Sequence, residues 1–271
     1  RAIELNGAAV TMNQAAFAWG RQAAIDLALV RAAAGLDKPA TVVMLPARTP
    51  SLEALIGDRT KRLIAYQNTV YARQFESYVR EIAALENERT GSDRLSREVA
   101  VSLYKLMAYK DEYEVARLYV ETGFFERIAS QFEGDFKLRF HLAPPLFSKR
   151  DAQGYLVKKP YGPWIATAYR LLAKAKGLRG SALDIFGYTQ ERRDERAAID
   201  EFKVLMRQVA QQLTAERSAT ALALARLPQS VRGYGHVKEH SANAARKRQD
   251  QLSVEFTSPL GPEQQSQVAA A

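Results

Sequence analysis

The chain contains no cysteine and only three histidines in 271 residues. Without thiols it can form no disulfide, no thiolate zinc site, no cysteine-ligated iron–sulfur cluster and no cysteine nucleophile of its own. A thiol-free composition suits a reducing compartment, so a cytoplasmic location is expected. Long apolar runs are also missing. The most apolar stretch, Ala15 to Gly35, is interrupted by Arg21, Asp26 and Arg31, well short of the ~18 uncharged residues a spanning helix needs. Phosphate-cradling glycine loops are absent as well: Gly233-Tyr234-Gly235 lacks both a third glycine and a preceding strand. There is no Gly-x-Ser-x-Gly nucleophile elbow. No pair of carboxylates stands out from the ordinary charged helix faces, so no acid–base pair is assigned. The chain starts at Arg1 within a helical pattern, with neither an initiator Met nor a signal-peptide pattern, and reads as part of something longer.

What is present is the material of a folded domain, with 47% hydrophobic and 25% charged residues. Apolar residues recur at helical spacing along most of the chain. Residues 1–34 read as Ala-rich helix broken at Asn6-Gly7, and 35–50, with three prolines, as a linker. One long helix is expected after Thr49-Pro50-Ser51. Its buried stripe would run Leu63, Tyr66, Val70, Tyr71, Phe75, Tyr78, Ile82, Leu85, and Gly91 would end it. Ser92 or Asp93 would cap the next helix, striped by Leu95, Val99, Leu103 and Leu106. Two shorter helices follow, one around Val115, Ala116 and Tyr119, the other carrying Phe124, Ile128 and Phe132.

At Phe136–Leu142 the period changes to two, the mark of a half-buried strand, which Pro144-Pro145 would end. Beyond the turn-prone Asp151–Gly154, Leu156–Lys159 is its candidate antiparallel mate. Helix resumes at Gly162-Pro163-Trp164, with Trp164, Ala168, Leu171 and Leu172 expected inward. Ile199, Phe202, Met206, Val209 and Leu213 form the cleanest stripe, and Thr189 is its candidate N-cap. Pro228 should halt the helix through Leu222–Leu227, and a polar last helix should run from about His236 to Phe256. The fold class is therefore mainly α: a multi-helix domain over 51–256 with a small basic β-hairpin or extended arm. The tail 257–271 has a disorder-prone composition.

Charge is unevenly placed. Lys137–Gly180 holds ten Lys and Arg residues against the single acid Asp151, a net +9 that equals the charge of the whole chain. Clustered charge of one sign attracts an anionic partner over a distance. Arg139, Lys158, Lys159 and Arg232 are the candidate docking residues, because guanidinium and ammonium groups pair with carboxylate and phosphate. The alternative is a set of solvated side chains around a loop. No nucleic-acid motif accompanies the charge, which leaves a nucleic-acid-binding domain as the outside reading. His236-Val237-Lys238-Glu239-His240 matches a zinc pattern formally but lacks a third ligand. It reads as the start of a helix, so no metal is expected. The run Glu191–Arg196 reads as a solvated, mutually paired helix face.

Several blocks carry a resemblance. Ala2-Ile3-Glu4-Leu5-Asn6-Gly7 with Met12–Arg21 resembles the end of the gamma-type domain of 2-oxoacid:ferredoxin oxidoreductases. Lys105–Leu118, Lys137–Pro145, Leu178-Arg179-Gly180, Phe186-Gly187-Tyr188-Thr189 and Arg232–Glu239 resemble the helical C-terminal region of bacterial single-chain indolepyruvate ferredoxin oxidoreductases. The similarity spans about residues 1–256. It implies a parent enzyme that oxidatively decarboxylates indolepyruvate or another arylpyruvate to an acyl-CoA, with thiamine diphosphate carrying the carbanion and iron–sulfur clusters passing electrons to ferredoxin. This chain has neither the cysteines nor a Gly-Asp-Gly stretch of the thiamine-diphosphate type, so no catalytic residue and no bound cofactor are expected in it. The resemblance implies a non-catalytic accessory or assembly domain that packs on the other domains of the oxidoreductase or on a second protomer in a homo-oligomer. The alternative is a basic dock for an acidic ferredoxin or for the phosphates of coenzyme A.

Overall fold

The computed structural model describes residues 2–7, 9–35, 50–132, 134, 136–142, 157–233 and 236–258. The chain divides into two compact units, residues 1–49 and 50–271. The proline-rich stretch 36–49, the turn at 151–154, Pro144-Pro145 and the tail 259–271 lie outside the described residues. No helix among the described residues is long and apolar enough to cross a membrane.

The first unit holds α1 (Ala2–Asn6), α2 (Val10–Ile25) and α3 (Leu27–Ala33). Asp26 separates the last two, its side chain accepting from the Leu29 amide at 2.9 Å as an N-cap. No described residue of α2 or α3 is buried, although they carry Met12, Phe17, Trp19, Ile25, Leu27 and Leu29.

The second unit is mainly α: α4 (Leu52–Tyr66), α5 (Thr69–Thr90), α6 (Arg94–Met107), α7 (Glu112–Glu121), α8 (Phe124–Ala129), then a hairpin of β1 (Phe140–Leu142) and β2 (Lys159–Tyr161). There follow α9 (Ile165–Lys174) with a 3₁₀ turn at Ala175–Leu178, α10 (Gln190–Gln211), α11 (Ser218–Ser230) and α12 (His236–Thr257). Two apolar cores result. The larger joins α4, α5, α6, α10, α11 and α12, where Leu63, Phe75, Ile82, Val99, Leu103, Met206 and Leu224 are sealed from solvent. All five residues of the expected stripe are buried in it, Ile199, Phe202, Met206 and Val209 on α10 and Leu213 just past its end, and Thr189 caps that helix as expected. The smaller core packs α7, α8 and α9 beneath the hairpin around Ala116, Phe140, Ile165, Tyr169 and Ala173. Tyr119 stacks on Tyr169 at 5.1 Å between centroids, with Phe140 edge-on to both.

Several expectations are corrected. The long helix after Ser51 is two helices: Asn68 leaves the helical region at φ −167° and its side chain accepts from the Tyr71 amide, starting α5 afresh. The break rephases the stripe, so Val70 stands 66% exposed. Among the described residues regular pairing covers Phe140–Leu142, and its mate is Lys159–Tyr161, which meets the expected segment Leu156–Lys159 at Lys159 alone, in the register Phe140↔Tyr161, His141↔Pro160, Leu142↔Lys159. On α9 the inward face is Ile165, Tyr169 and Ala173, while Trp164 and Leu171 are 61% and 66% exposed. Tyr169 sets this phase by filling the slot beside Tyr119 and Phe140, and Trp164 lies before the helix, edge-on to Tyr161. Phe132 falls beyond α8 and is exposed.

Pro228 does not stop α11, which continues to Ser230. The Lys105 ammonium donates to the carbonyls of Pro228, Gln229 and Val231 at 2.7–3.1 Å, supplying the donor that a helix end lacks.

Candidate functional site

The most chemically loaded region of the second unit lies where α4 ends, between the two apolar cores. The last carbonyls of α4 have no helical partner and carry the negative end of its dipole. Two cations from the turn after α9 answer them. Lys176 Nζ donates to the Ala65 carbonyl at 2.7 Å, and Arg179 Nη1 donates to the Tyr66 carbonyl at 2.7 Å. Arg179 is only 5% exposed, and its Nε and Nη2 grip Asp111 at 2.5 and 2.8 Å in a bidentate pair. The guanidinium lies over the Tyr66 ring, 3.7 Å from its centroid. Burial, the largest single influence, works against the Arg179 charge, but Asp111, Tyr66 and Tyr109 together outweigh it and the pKa moves upward. Asp111 is also the N-cap of α7, accepting from the Glu114 amide at 2.8 Å. Tyr66 Oη donates to the Tyr109 carbonyl, and burial pushes that phenol far up. One ion pair thus finishes α4, starts α7 and ties the two cores together.

Next to it, Gly180 adopts φ +77°, a backbone state that glycine reaches without cost. This turns the Gly180 amide onto the buried Asp184, which also accepts from the Gly187 amide and from Tyr113 Oη at 3.2 Å. A Cβ at Gly187 would sit 2.4 Å from the Asp184 carboxylate, so only glycine permits this approach. Arg196 of α10 donates through Nη2 to the Gly187 carbonyl at 2.7 Å. A shallow cleft opens here, walled by Tyr71, Tyr109, Arg179, Gly180, Arg196 and Lys203.

The residues singled out for docking are not one site. Arg139, Lys158, Lys159 and Arg232 are all exposed. Strand alternation puts His141 and Pro160 on one face of the hairpin and Lys159, opposite Leu142, on the other, while Arg139 and Lys158 lie just outside the paired residues. Arg232 lies elsewhere, after α11, its amide held by Ser241 Oγ at 3.1 Å. The +9 segment is also not uniformly surface charge, since Arg179 is buried and Lys176 caps α4. Lys149 and Arg150 fall outside the described residues.

The run Glu191–Arg196 is likewise only partly solvated. Arg192 is buried, pairing with Glu195 at 2.5 Å and facing Glu112 at 3.6 Å, and Lys238 reaches Glu195 at 2.5 Å from α12. Burial raises the Glu112 carboxyl, with Arg192 opposing. Glu239 and His240 are exposed, and the described residues contain no cluster of three or more potential metal ligands.

Local patterning does not assign a role to Arg179, whose partners Asp111 and Tyr66 lie 68 and 113 positions away, nor to Asp184 and Arg196, whose nearer bonds go to the backbone of a turn without regular period. The one readable signal was Asp111-Glu112-Tyr113-Glu114, an N-cap carboxylate with Glu three positions on.

This arrangement defines a helical domain whose buried charges are spent on joining its own helices. Residues 52–251 match the model of a family of unknown function, DUF6537, and the chain belongs to that family. Searches of curated proteins and of solved structures return no match.

Proposed function

We propose that this chain is a non-catalytic accessory and assembly domain of an indolepyruvate (or other arylpyruvate):ferredoxin oxidoreductase, working in the reducing cytoplasm. The observation that carries this reading is the fate of the buried polar groups. Arg179, Asp111, Asp184 and Glu86 each spend their hydrogen bonds on backbone amides, carbonyls or one another, which is the chemistry of holding helices together. Two further features support it. The first unit carries apolar residues that nothing covers among the described residues, as expected of helices that pack on another domain of the same enzyme or on a second protomer. The resemblance of residues 1–256 names that enzyme class and puts thiamine diphosphate and the iron–sulfur clusters on its other domains.

Purified alone, the chain should be colourless and inert towards indolepyruvate and other 2-oxoacids. Mixed with the thiamine- and cluster-bearing remainder of such an oxidoreductase, it should co-elute with it in size-exclusion chromatography. Turnover by the isolated chain, a tightly held metal, or failure to associate would overturn the reading.

A second reading is favoured by the hairpin, where Arg139, Lys158 and Lys159 are all exposed and present a basic surface. Such a face suits an acidic ferredoxin or the phosphates of coenzyme A. Reversing Lys158 and Lys159 to Glu should then weaken ferredoxin-linked turnover and flatten its salt dependence. Unchanged kinetics with an altered oligomeric state would favour assembly.

A further inference from the structure

Two side chains stand out on the solvent side of α9. The inward face of this helix, Ile165, Tyr169 and Ala173, already fills the smaller core. Trp164 and Leu171 lie outside it, 61% and 66% exposed, seven residues and so two turns apart on one face. Thr167 and Lys174 share that face and Arg170 flanks it, all three exposed. Trp164 stands edge-on to Tyr161 at 6.0 Å, and Lys159, two residues before Tyr161, is on the same side of β2. The charge around these residues is of one sign. No acid occurs from Val157 to Leu183, a segment with six Lys and Arg residues. Arg179 is spent on Asp111, and Lys176 on the Ala65 carbonyl and Glu121. The other four, Lys158, Lys159, Arg170 and Lys174, make no ion pair or hydrogen bond among the described residues. A single exposed apolar side chain is ordinary. An exposed Trp and Leu on one face of a packed helix, beside four cations that nothing neutralises, form the composition of a binding hot spot with a charged rim.

We infer that the solvent face of α9 is the docking face for a separate acidic protein, whose contact surface sets carboxylates around an apolar spot that receives Trp164 and Leu171. Charge complementarity selects this occupant. A second copy of the chain would bring the same four cations against themselves, and like charges repel. A lipid surface needs a whole apolar face to insert, whereas α9 offers it two side chains and has its other side fixed in the core. A single-stranded nucleic acid would stack on Trp164 but gain nothing from Leu171. Permanent interfaces are depleted of lysine at their centre, so a face with Lys and Arg beside its anchors suits a partner that is steered in and released. The inference rests on the second reading above in one respect, that the basic hairpin draws an anionic partner. It adds the apolar anchors, which a protein would use and the phosphates of coenzyme A would not.

The test places the photo-cross-linker benzoylphenylalanine at Leu171 of the full chain, and at the equally exposed Val254 of α12 as control, in the cells that naturally make it. Mass spectrometry then identifies what is captured, and calorimetry measures the purified pair. The Leu171 position should capture one protein through a peptide rich in Asp and Glu, and the Val254 position should not. In the purified pair, Trp164→Ala and Leu171→Ala should each weaken binding by roughly tenfold or more. Arg170→Glu with Lys174→Glu should weaken it further and flatten its salt dependence. Capture no stronger than at Val254 overturns the inference. So does capture only of lipid, nucleic acid or a second copy, or unchanged affinity in folded Trp164→Ala and Leu171→Ala chains. Should those variants not fold, the Arg170→Glu, Lys174→Glu chain decides in the same way. If the captured protein is acidic and is not a ferredoxin, the inference stands and the ferredoxin of the second reading falls. If nothing is captured yet Lys158 and Lys159 reversal still weakens ferredoxin-linked turnover, the second reading stands and the inference falls.

Discussion

At the scale of single residues, the Arg179–Asp111 pair is where one atom group does most. Replacing either partner alone strands the other charge in a dry site, so Arg179→Met or Asp111→Leu should each cost ~3–5 kcal/mol in urea unfolding. The double replacement should recover part of that loss, since the isolated charge disappears. It cannot recover all of it, because the α7 N-cap and the donor to the Tyr66 carbonyl are lost as well. Equal and fully additive losses would show that the two charges do not act as a pair. Glu112 gives a second residue-scale expectation. Its carboxyl titrates above its ordinary value because burial disfavours the charge. The native state therefore holds that proton more tightly than the unfolded chain. The stabilisation is complete below the unfolded pKa and drains away as pH rises through the folded one. Compared with Glu112→Gln, which has no such proton, the wild-type chain should lose relative stability as pH climbs from about 4 to 8. Urea midpoints of both chains across that range would check it, and a rise in the difference would contradict the assignment. Neither residue was visible as a site in the amino-acid order. A lone Arg before a Gly and a Glu among other acids look like surface, and only the fold brings their partners to them.

Among the elements, α6 shows how a start signal can be supplied from outside. Its first amide, at Arg94, donates to Ser92 Oγ at 3.2 Å, but the next two, at Leu95 and Ser96, donate not to Asp93 but to Glu86 of α5, both at 2.8 Å, with Ser96 Oγ adding a further bond at 2.6 Å. Asp93 instead pairs with Arg97. Glu86→Gln keeps the shape but removes the charge at a helix N-terminus and one acceptor oxygen. It should cost roughly 1–3 kcal/mol by chemical denaturation. Asp93→Asn, on the more exposed pair, should cost under about 1 kcal/mol, and a larger loss there than at Glu86 would reverse the assignment. The same element explains what could be read in advance. Helices with one long apolar stripe, α6 and α10, were legible because burial on one face writes a 3.6-residue period into the sequence. The phase of α9 was not, because its candidate faces are both apolar and the aromatic slot made by Tyr119 and Phe140 decides between them. The break at Asn68 was hidden for a similar reason: apolar residues continue across it, and the cap side chain alone marks the new start.

At the scale of the whole molecule, the chain is two units with unequal means of support. The second has two buried apolar cores, whereas α2 and α3 bury nothing among the described residues. A chain beginning at Pro50 should therefore keep the urea midpoint and cooperativity of the full one, measured by far-UV circular dichroism. A drop in midpoint would show that the first unit contributes to the stability of the second. The mainly α class with its small hairpin was readable from patterning. The clasp between the cores was not, because it joins residues that local patterning cannot connect. Arg179 and the Tyr66 carbonyl are 113 positions apart. Closing so wide a loop demands chain entropy before any contact repays it, so this link should form late on the way to the native state. Losing the Arg179 guanidinium should then quicken unfolding while leaving the refolding rate almost untouched. The clasp would act as a brake on opening, setting how long the two halves stay together once joined.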